Sequence, residues 1–334
     1  MYLIYDLIIY GEKLTLNIRI GTRGSKLAMV QTNYVNELLK KEIKNQDNDN
    51  DIGTEIIKIK TVGDKDQNKK LADLGIGVFT KEIDKSMLLN ETDIAVHSLK
   101  DVPTLWSDEL IIRSVPPRES HNDLLIWKKD KELNVFQDDI IVGTSSIRRA
   151  AFLEVRYPNL KVKLLRGNVQ TRMKKLEEEE YDAIIMAEAG LNRLKVSLEN
   201  YNYEVLDMLP APAQGAIGIA TRKADKEINE VVELLDDKKT HIEVLAERSA
   251  LKEYGGGCQA PFGALAVYDT EENVLSLTCD LVFEAKGKKV LVSKESFVYC
   301  DVDDFEKGIE LGKSLGKLLK DNENEVLGIR PSQE

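Results

Sequence analysis

A pattern that occurs twice constrains the fold of this chain most: a strand, a short turn of small polar residues, and an amphipathic helix. Leu14 to Ile20 places Leu14, Leu16, Ile18 and Ile20 at alternate positions, the period of a half-buried strand. Gly21-Thr22-Arg23-Gly24-Ser25 follows, and then Leu27, Val30, Tyr34, Val35 and Leu38 recur at helical spacing. The order returns in Ile140 to Val142, in Gly143-Thr144-Ser145-Ser146, and in a helix from Ile147 to Arg156. Strands Val162 to Leu165 and Ala183 to Ala187 again precede helical stretches. Such alternation predicts parallel sheets with helices on their faces.

At 334 residues the chain has room for two or three compact units. Pro116-Pro117-Arg118-Glu119-Ser120 and Pro210-Ala211-Pro212-Ala213-Gln214-Gly215 read as hinges, so the chain leaves a first domain, builds a second and returns. After Val267 the style changes. Alternating strands Val274 to Phe283 and Val290 to Tyr299 flank a Lys286-Gly287-Lys288 turn, a helix runs from about Asp303 to Lys320, and the remainder reads as a frayed tail. Asn45 to Asp51 reads as a polar loop. The expected fold is α/β with three domains: 14–116 with 216–236, 121–210, and a small α+β unit at 238–320.

Charge narrows the function. The chain is acidic, with a formal net charge of −11, so it has no global attraction to nucleic acid or anionic membranes, and an anionic ligand requires a local basic cluster. No apolar run approaches the roughly 18 residues of a membrane span. The apolar start is interrupted by Asp6 and reads as an extension rather than a leader. Cys258, Cys279 and Cys300 leave at least one thiol unpaired, which points to a reducing cytoplasm. No Cys-x-x-Cys or His/Cys cluster occurs, so no metal is expected. Gly75-Ile76-Gly77 lacks the further glycine of a dinucleotide fingerprint.

The required basic cluster lies between Gly143 and Arg172, where Arg148, Arg149, Arg156, Lys161, Lys163, Arg166 and Arg172 face one acid, Glu154. Lys161 and Lys163 read as a solvated face. Arg148, Arg149, Arg166 and Arg172 stand beside strand-to-helix turns, where hydroxyls and backbone N–H groups of Thr144, Ser145 and Ser146 bind anions at the positive end of a helix. Arg23 and Ser25 form a similar turn in the first domain, and together they predict an arginine-lined cleft between domains. Asp93 to Pro103 reads as a buried strand whose polar carboxyl end carries Lys100 and Asp101, the end at which open α/β sheets bind ligands. His97 within it reads as a satisfied core histidine. Three glycines before Cys258 leave its thiol accessible as a nucleophile or attachment point, whereas Cys279 and Cys300 read as small buried hydrophobes.

These segments resemble the porphobilinogen deaminase family. The matching blocks are IRIGTRGSKLA from Ile18, FTKEID from Phe79, DIAVHSLKDVPT from Asp93, VGTSSIRRA from Val142, LRGNVQTR from Leu165, AEAGLNRL from Ala187, PAPAQGAIGI from Pro210, and ERSAL with GGGCQAPFGA from Glu247. The resemblance implies two periplasmic-binding-protein-like α/β domains joined by a hinge, plus a small third domain. It implies a transferase of tetrapyrrole and heme biosynthesis that condenses four porphobilinogen molecules with loss of ammonia and releases linear hydroxymethylbilane by hydrolysis. A dipyrromethane cofactor would be held by a thioether to Cys258, and Asp101 would be the catalytic carboxylate. Cofactor contacts would come from Lys100, Asp101, Thr144, Ser145, Ser146, Arg148, Arg149 and Arg166, and substrate contacts from Arg23, Ser25, Arg149, Arg172 and Gln214. The implied partners are porphobilinogen and the growing polypyrrole, with no nucleic acid, membrane or obligate protein partner. Two departures stand out: Leu74-Gly75-Ile76-Gly77-Val78 has no lysine before Phe79, and Ala213 stands where glycine is usual. Lys69 and Lys70 would supply the missing charge. The other reading is a two-lobed protein that binds a small anion without catalysis.

Overall fold

The computed structural model of the chain describes residues 17–46, 53–61, 77, 80–257 and 260–329. The chain opens with β1 (Asn17–Arg23), α1 (Lys26–Gln46), β2 (Gly53–Ile59), α2 (Lys81–Leu88), β3 (Ile94–Ser98) and β4 (Leu110–Ser114). It crosses to β5 (Asp123–Lys128), β6 (Ile141–Thr144), α3 (Ile147–Arg156), β7 (Lys161–Leu164), α4 (Val169–Glu177), β8 (Ala183–Ala187), α5 (Glu188–Arg193) and β9 (Tyr201–Val205). A return crossing leads to β10 (Ile217–Arg222), α6 (Lys226–Glu233) and α7 (Lys238–Tyr254), then to β11 (Phe262–Asp269), β12 (Val274–Ala285), β13 (Lys288–Tyr299) and α8 (Phe305–Leu327).

Two five-stranded sheets repeat one plan, with strand orders β2-β1-β3-β10-β4 and β7-β6-β8-β5-β9. In each, three parallel strands meet an antiparallel fourth, β10 or β5, which is the strand that follows a crossing. The α/β class is as expected, but the sheets expected to be parallel are mixed, because β10 and β5, entering after a crossing, pair antiparallel on both sides. Strand β5 is apolar on both faces because both are covered: Leu125 and Trp127 join one cluster with Val142 and Phe152, while Leu124 and Ile126 join another with Ile184 and Met186. Side-chain caps start the helices at Ser146, Asn168, Asp225, Asp237 and Asp304, each accepting a hydrogen bond from a backbone N–H of the first turn.

The third sheet is antiparallel, β11-β12-β13, and Lys286 and Gly287, both at positive φ, make the two-residue turn between its long strands. Helix α8 lies against α7 at backbone contact. A Cβ on Gly312 would lie 2.2 Å from the Ala246 carbonyl oxygen, and one on Gly316 2.3 Å from that of Ala250. Among the described residues no helix is long and apolar enough to cross a membrane.

Several expectations shift. Helix α8 continues to Leu327, past the tail expected after Lys320, because the Tyr254 hydroxyl donates to Glu323 at 2.9 Å and ties the extra turns to α7. Strand β7 runs Lys161–Leu164, one residue earlier than expected, and Cys300 lies just beyond β13, though buried as Cys279 is. Helix α1 reaches Gln46, into the loop expected from Asn45. The strand start at Leu14, Lys69, Lys70, Ile76, Phe79 and Cys258 lie outside the described residues.

The two crossings run side by side, and the Glu119 N–H donates to the Gly215 carbonyl at 3.2 Å. Gly215 has φ +87°, and a Cβ there would lie 2.3 Å from the Glu119 carbonyl oxygen. Ala213 has φ +62°, a conformation that explains why glycine suits this position. Gly215→Ala should therefore cost about 3 kcal/mol or more, while Ala213→Gly should stay within about 1 kcal/mol of the parent, because relief of left-handed strain offsets the lost methyl and added chain entropy. Urea unfolding of both variants checks this contrast.

Candidate functional site

The strand-end turns of both sheets carry the candidate residues. Arg23 and Ser25 follow β1, and Ser25 Oγ accepts the Ala28 N–H at 3.3 Å, opening α1. A 3₁₀ turn, Leu99–Asp101, follows β3 and carries Lys100 and exposed Asp101. Thr144, Ser145 and Ser146 follow β6; Thr144 Oγ1 accepts the Ser146 N–H at 3.2 Å, and Ser146 Oγ accepts that of Arg149 at 3.3 Å. Beyond β7, Gly167 at φ +116° and Asn168 start α4 and bring Arg172 back, with its Nε donating to the Gly167 carbonyl at 2.9 Å.

Beneath the turns lies an ion cluster whose acid was not expected. Arg148 and Arg149 are buried, and each donates to Asp123 at the start of β5, at 2.6 and 2.7 Å. Arg148 also donates to the Leu209 carbonyl at 2.6 Å and Arg149 to that of Ile185 at 3.0 Å. Burial alone would raise the Asp123 pKa, but the fields of Arg148 and then Arg149 hold it far below the ordinary carboxylate range. The Nε atoms of both arginines are buried without a hydrogen-bond partner.

Gln214, expected to contact substrate, is 1% exposed, and its amide is committed within the protein. Its Nε2 donates to Asp123 Oδ1 and the His121 carbonyl, both at 2.8 Å, while its Oε1 accepts from Lys100 Nζ at 3.3 Å. It thus ties the Lys100 turn of the first sheet to the arginine pair of the second. Burial, opposed by Asp101 and reinforced by Arg149, brings the Lys100 pKa down to about 8. Burial and then Arg149 lower that of Arg172 to about 10, with Asp101 opposing and Arg166 adding to the shift. These fields place Lys100, Asp101, Arg149, Arg166 and Arg172 around one cleft. Arg172 makes no ion pair among the described residues; beyond Gly167, its guanidinium meets only the Ser145 hydroxyl, at 3.4 Å.

Other cations of the basic segment turn away. Lys161 pairs with Asp139 at 3.3 Å, and Arg156 pairs with Asp207 and Asp280. Sequence reasoning missed Glu247 and Arg248 on α7. Glu247 receives both terminal nitrogens of Arg118 and the N–H groups of Ala213 and Ala266, so it pins both crossings. Arg248 donates to the carbonyls of Leu99, Val102 and Pro103 at 2.9–3.0 Å and holds the Lys100–Asp101 turn. Both lie in the ERSAL block that carries the family resemblance, but nothing in their spacing showed which groups they hold.

The cleft thus has more cationic donors than carboxylates, and one exposed acid. That donor set suits a ligand bearing several carboxylates. A family model described as "Porphobilinogen deaminase, dipyromethane cofactor binding domain" matches residues 18–230, and one described as "Porphobilinogen deaminase, C-terminal domain" matches residues 241–321. A "Probable porphobilinogen deaminase" of Methanocaldococcus jannaschii is 51% identical over 305 residues, covering 91% of this chain and 99% of that protein. A "Porphobilinogen deaminase" of a Geobacillus species is 42% identical over 282 residues, covering 82% of this chain and 86% of that protein. A "Probable porphobilinogen deaminase" of Nitrosopumilus maritimus is 37% identical, covering 90% and 92%.

The ion cluster and the depressed lysine lead to two expectations. Asp123→Asn removes the charge that offsets two buried guanidinium groups, so it should lower unfolding stability by about 3–5 kcal/mol in urea titrations. Lys100 loses its charge as pH rises through about 8, so a small dicarboxylate should bind less tightly above that pH. Lys100→Arg, charged throughout, should remove this alkaline weakening in calorimetric titrations at pH 7 and 9.

Proposed function

The chain belongs to the porphobilinogen deaminase family, and on that premise we propose that Cys258 carries its dipyrromethane through a thioether and that Asp101 serves the condensation chemistry. The proposed reaction joins four porphobilinogen molecules, with release of ammonia at each step, and ends in hydrolytic release of linear hydroxymethylbilane. The chain is a transferase of tetrapyrrole biosynthesis. We propose the cytoplasm as its compartment, a reading supported by the free thiols of Cys279 and Cys300.

One observation carries the assignment of roles: exposed Asp101 stands within the fields of Lys100 on its own turn and Arg172 on the opposite sheet. The unpartnered Nε atoms of Arg148 and Arg149, and an Arg172 without an ion pair among the described residues, suit a group with several carboxylates. The dipyrromethane, when bound, supplies the pyrrole terminus to which units are added. Lys100, Arg148, Arg149 and Arg166, with the hydroxyls of Thr144, Ser145 and Ser146, hold its carboxylates. Arg23, Ser25, Arg149 and Arg172 hold the acetate and propionate of incoming porphobilinogen. Asp101 accepts the pyrrole N–H and stabilises the positive charge that develops as ammonia departs. Gln214, rather than touching substrate, orients Lys100. The reading as a binding protein without catalysis is not favoured, since the three relatives above are all named as deaminases.

Intact mass tests attachment. The purified protein should be heavier than its sequence by one dipyrromethane, Cys258→Ser should lose that mass and all activity, and Cys279→Ser should keep both. An adduct retained on the Cys258→Ser variant would remove the assignment. Asp101→Asn should keep the adduct and lower turnover by about a hundredfold or more in rapid-quench assays. Unchanged single-turnover chemistry with lost affinity would make Asp101 a binding group instead.

A further inference from the structure

The polar turn after β1 and the end of β3 enclose a cavity of about 70 Å³, with Arg23, Ser25, Gln31, Thr80, His97 and Asp101 among its lining residues. Two of these side chains leave buried nitrogens unsatisfied. His97 is 5% exposed, and among the described residues its Nε2 has no hydrogen-bond partner, so it is not the satisfied core histidine that its apolar strand suggests. Gln31, on α1, is 3% exposed; its Oε1 accepts from the Ser98 hydroxyl at 3.0 Å, and its Nε2 is left without a partner. Thr80 Oγ1, also in the lining, is a third such atom; buried polar atoms without partners cost about 1–3 kcal/mol each, and three around one cavity mark a place for a small polar group.

Size and surroundings narrow the occupant. The cavity has room for a water-sized polar group such as an amine. Asp101 also lines the cavity, so a group seated there lies beside the proposed reaction centre. We propose that this cavity receives the aminomethyl group of porphobilinogen, and the ammonia it becomes, with His97 Nε2 accepting from the ammonium and the Gln31 Nε2–H donating to the lone pair of the ammonia that departs. The inference rests on the deaminase reading of the cleft.

The step balances without any further reactant. The substrate nitrogen enters as an ammonium, and its C–N bond breaks with the electron pair leaving on nitrogen as neutral ammonia. The lone pair of the pyrrole nitrogen, delocalised through the ring, forms the exocyclic double bond. The positive charge thereby moves from the ammonium to the ring, whose N–H is the group that Asp101 accepts. Burial and the neighbouring Arg23 hold the His97 pKa near 4, so its ring is neutral at working pH and does not repel the entering cation. The Arg23 charge itself opposes a cation, which favours departure of the nitrogen in its neutral form.

Enlarging the substrate amine tests the fit. Holoenzyme should use porphobilinogen with kcat/KM at least about thirtyfold above that for its N,N-dimethyl derivative, because two methyl groups overfill the cavity. His97→Ala and Gln31→Ala should each lower kcat/KM for porphobilinogen about tenfold or more, through the lost hydrogen bond, and narrow the preference to about threefold. Gln31→Ala carries the same contrast if His97→Ala does not fold. A second readout is independent of turnover. In protein labelled with ¹⁵N-histidine, the chain's 3 histidines give separable ring signals, and that of His97, identified by its loss in His97→Ala, should shift on addition of porphobilinogen. Parent enzyme indifferent to methylation, a preference unchanged in the folded cavity variants, or an unmoved His97 signal would overturn the proposal while leaving the deaminase reading intact. A parent enzyme with no adduct and no turnover of porphobilinogen would overturn that reading and this inference with it.

Discussion

Arg148 and Arg149 enter α3 side by side with their guanidinium groups buried, and both pair with one carboxylate, that of Asp123. Two cations placed this close would repel each other in a poorly screened interior, and burial would strip each of water. Asp123 offsets both terms at once, and its own burial is tolerable only because both arginines are present. The cluster also has direction. With terminal nitrogens directed to Asp123, Leu209 and Ile185, the pair is held rigidly at the floor of the cleft. Gln214 extends this order across the molecule by linking Asp123 to Lys100, so the cationic floor of the second sheet and the reactive turn of the first share one hydrogen-bond network.

The third unit contributes a frame. Helix α7 packs beneath its sheet and against α8, where Gly308, Gly312 and Gly316 permit backbone contact with it. From this rigid base, Glu247 reaches the two crossings and Arg248 reaches the turn of Lys100 and Asp101. Their effect is to fix how the crossings run and how Asp101 is presented, which makes α7 the element that ties the crossings and the Lys100–Asp101 turn to the third sheet. Precision of this kind matters for a site whose work is to direct charges at developing charge.

Much of this was legible from residue patterns. Period-2 and period-3.6 segments gave the alternation of strands and helices, and two proline-rich stretches marked the crossings. Small polar residues after β1, β6 and β7 announced the turns that open the following helices. Where local propensity and packing disagreed, the reading slipped: Asn322 and Asn324 looked like a tail, yet the bond from Tyr254 to Glu323 carries α8 onward. The excess of arginine in one segment was equally visible.

The sequence by itself determined the class of fold, the places where strands end in polar turns that open helices, and the concentration of positive charge in an acidic chain. Each follows from spacing between near neighbours, which backbone geometry translates directly into structure. Tertiary structure alone decided which charges meet. Asp123 lies 25 and 26 residues from its two arginines, Gln214 lies 91 residues from Asp123, and Arg248 lies 149 residues from the Leu99 carbonyl it holds. Such partners depend on which strands become neighbours in a sheet and which helix is laid across them. The same holds for the unsatisfied nitrogens of Gln31 and His97, because a polar atom is without a partner only relative to everything folded around it.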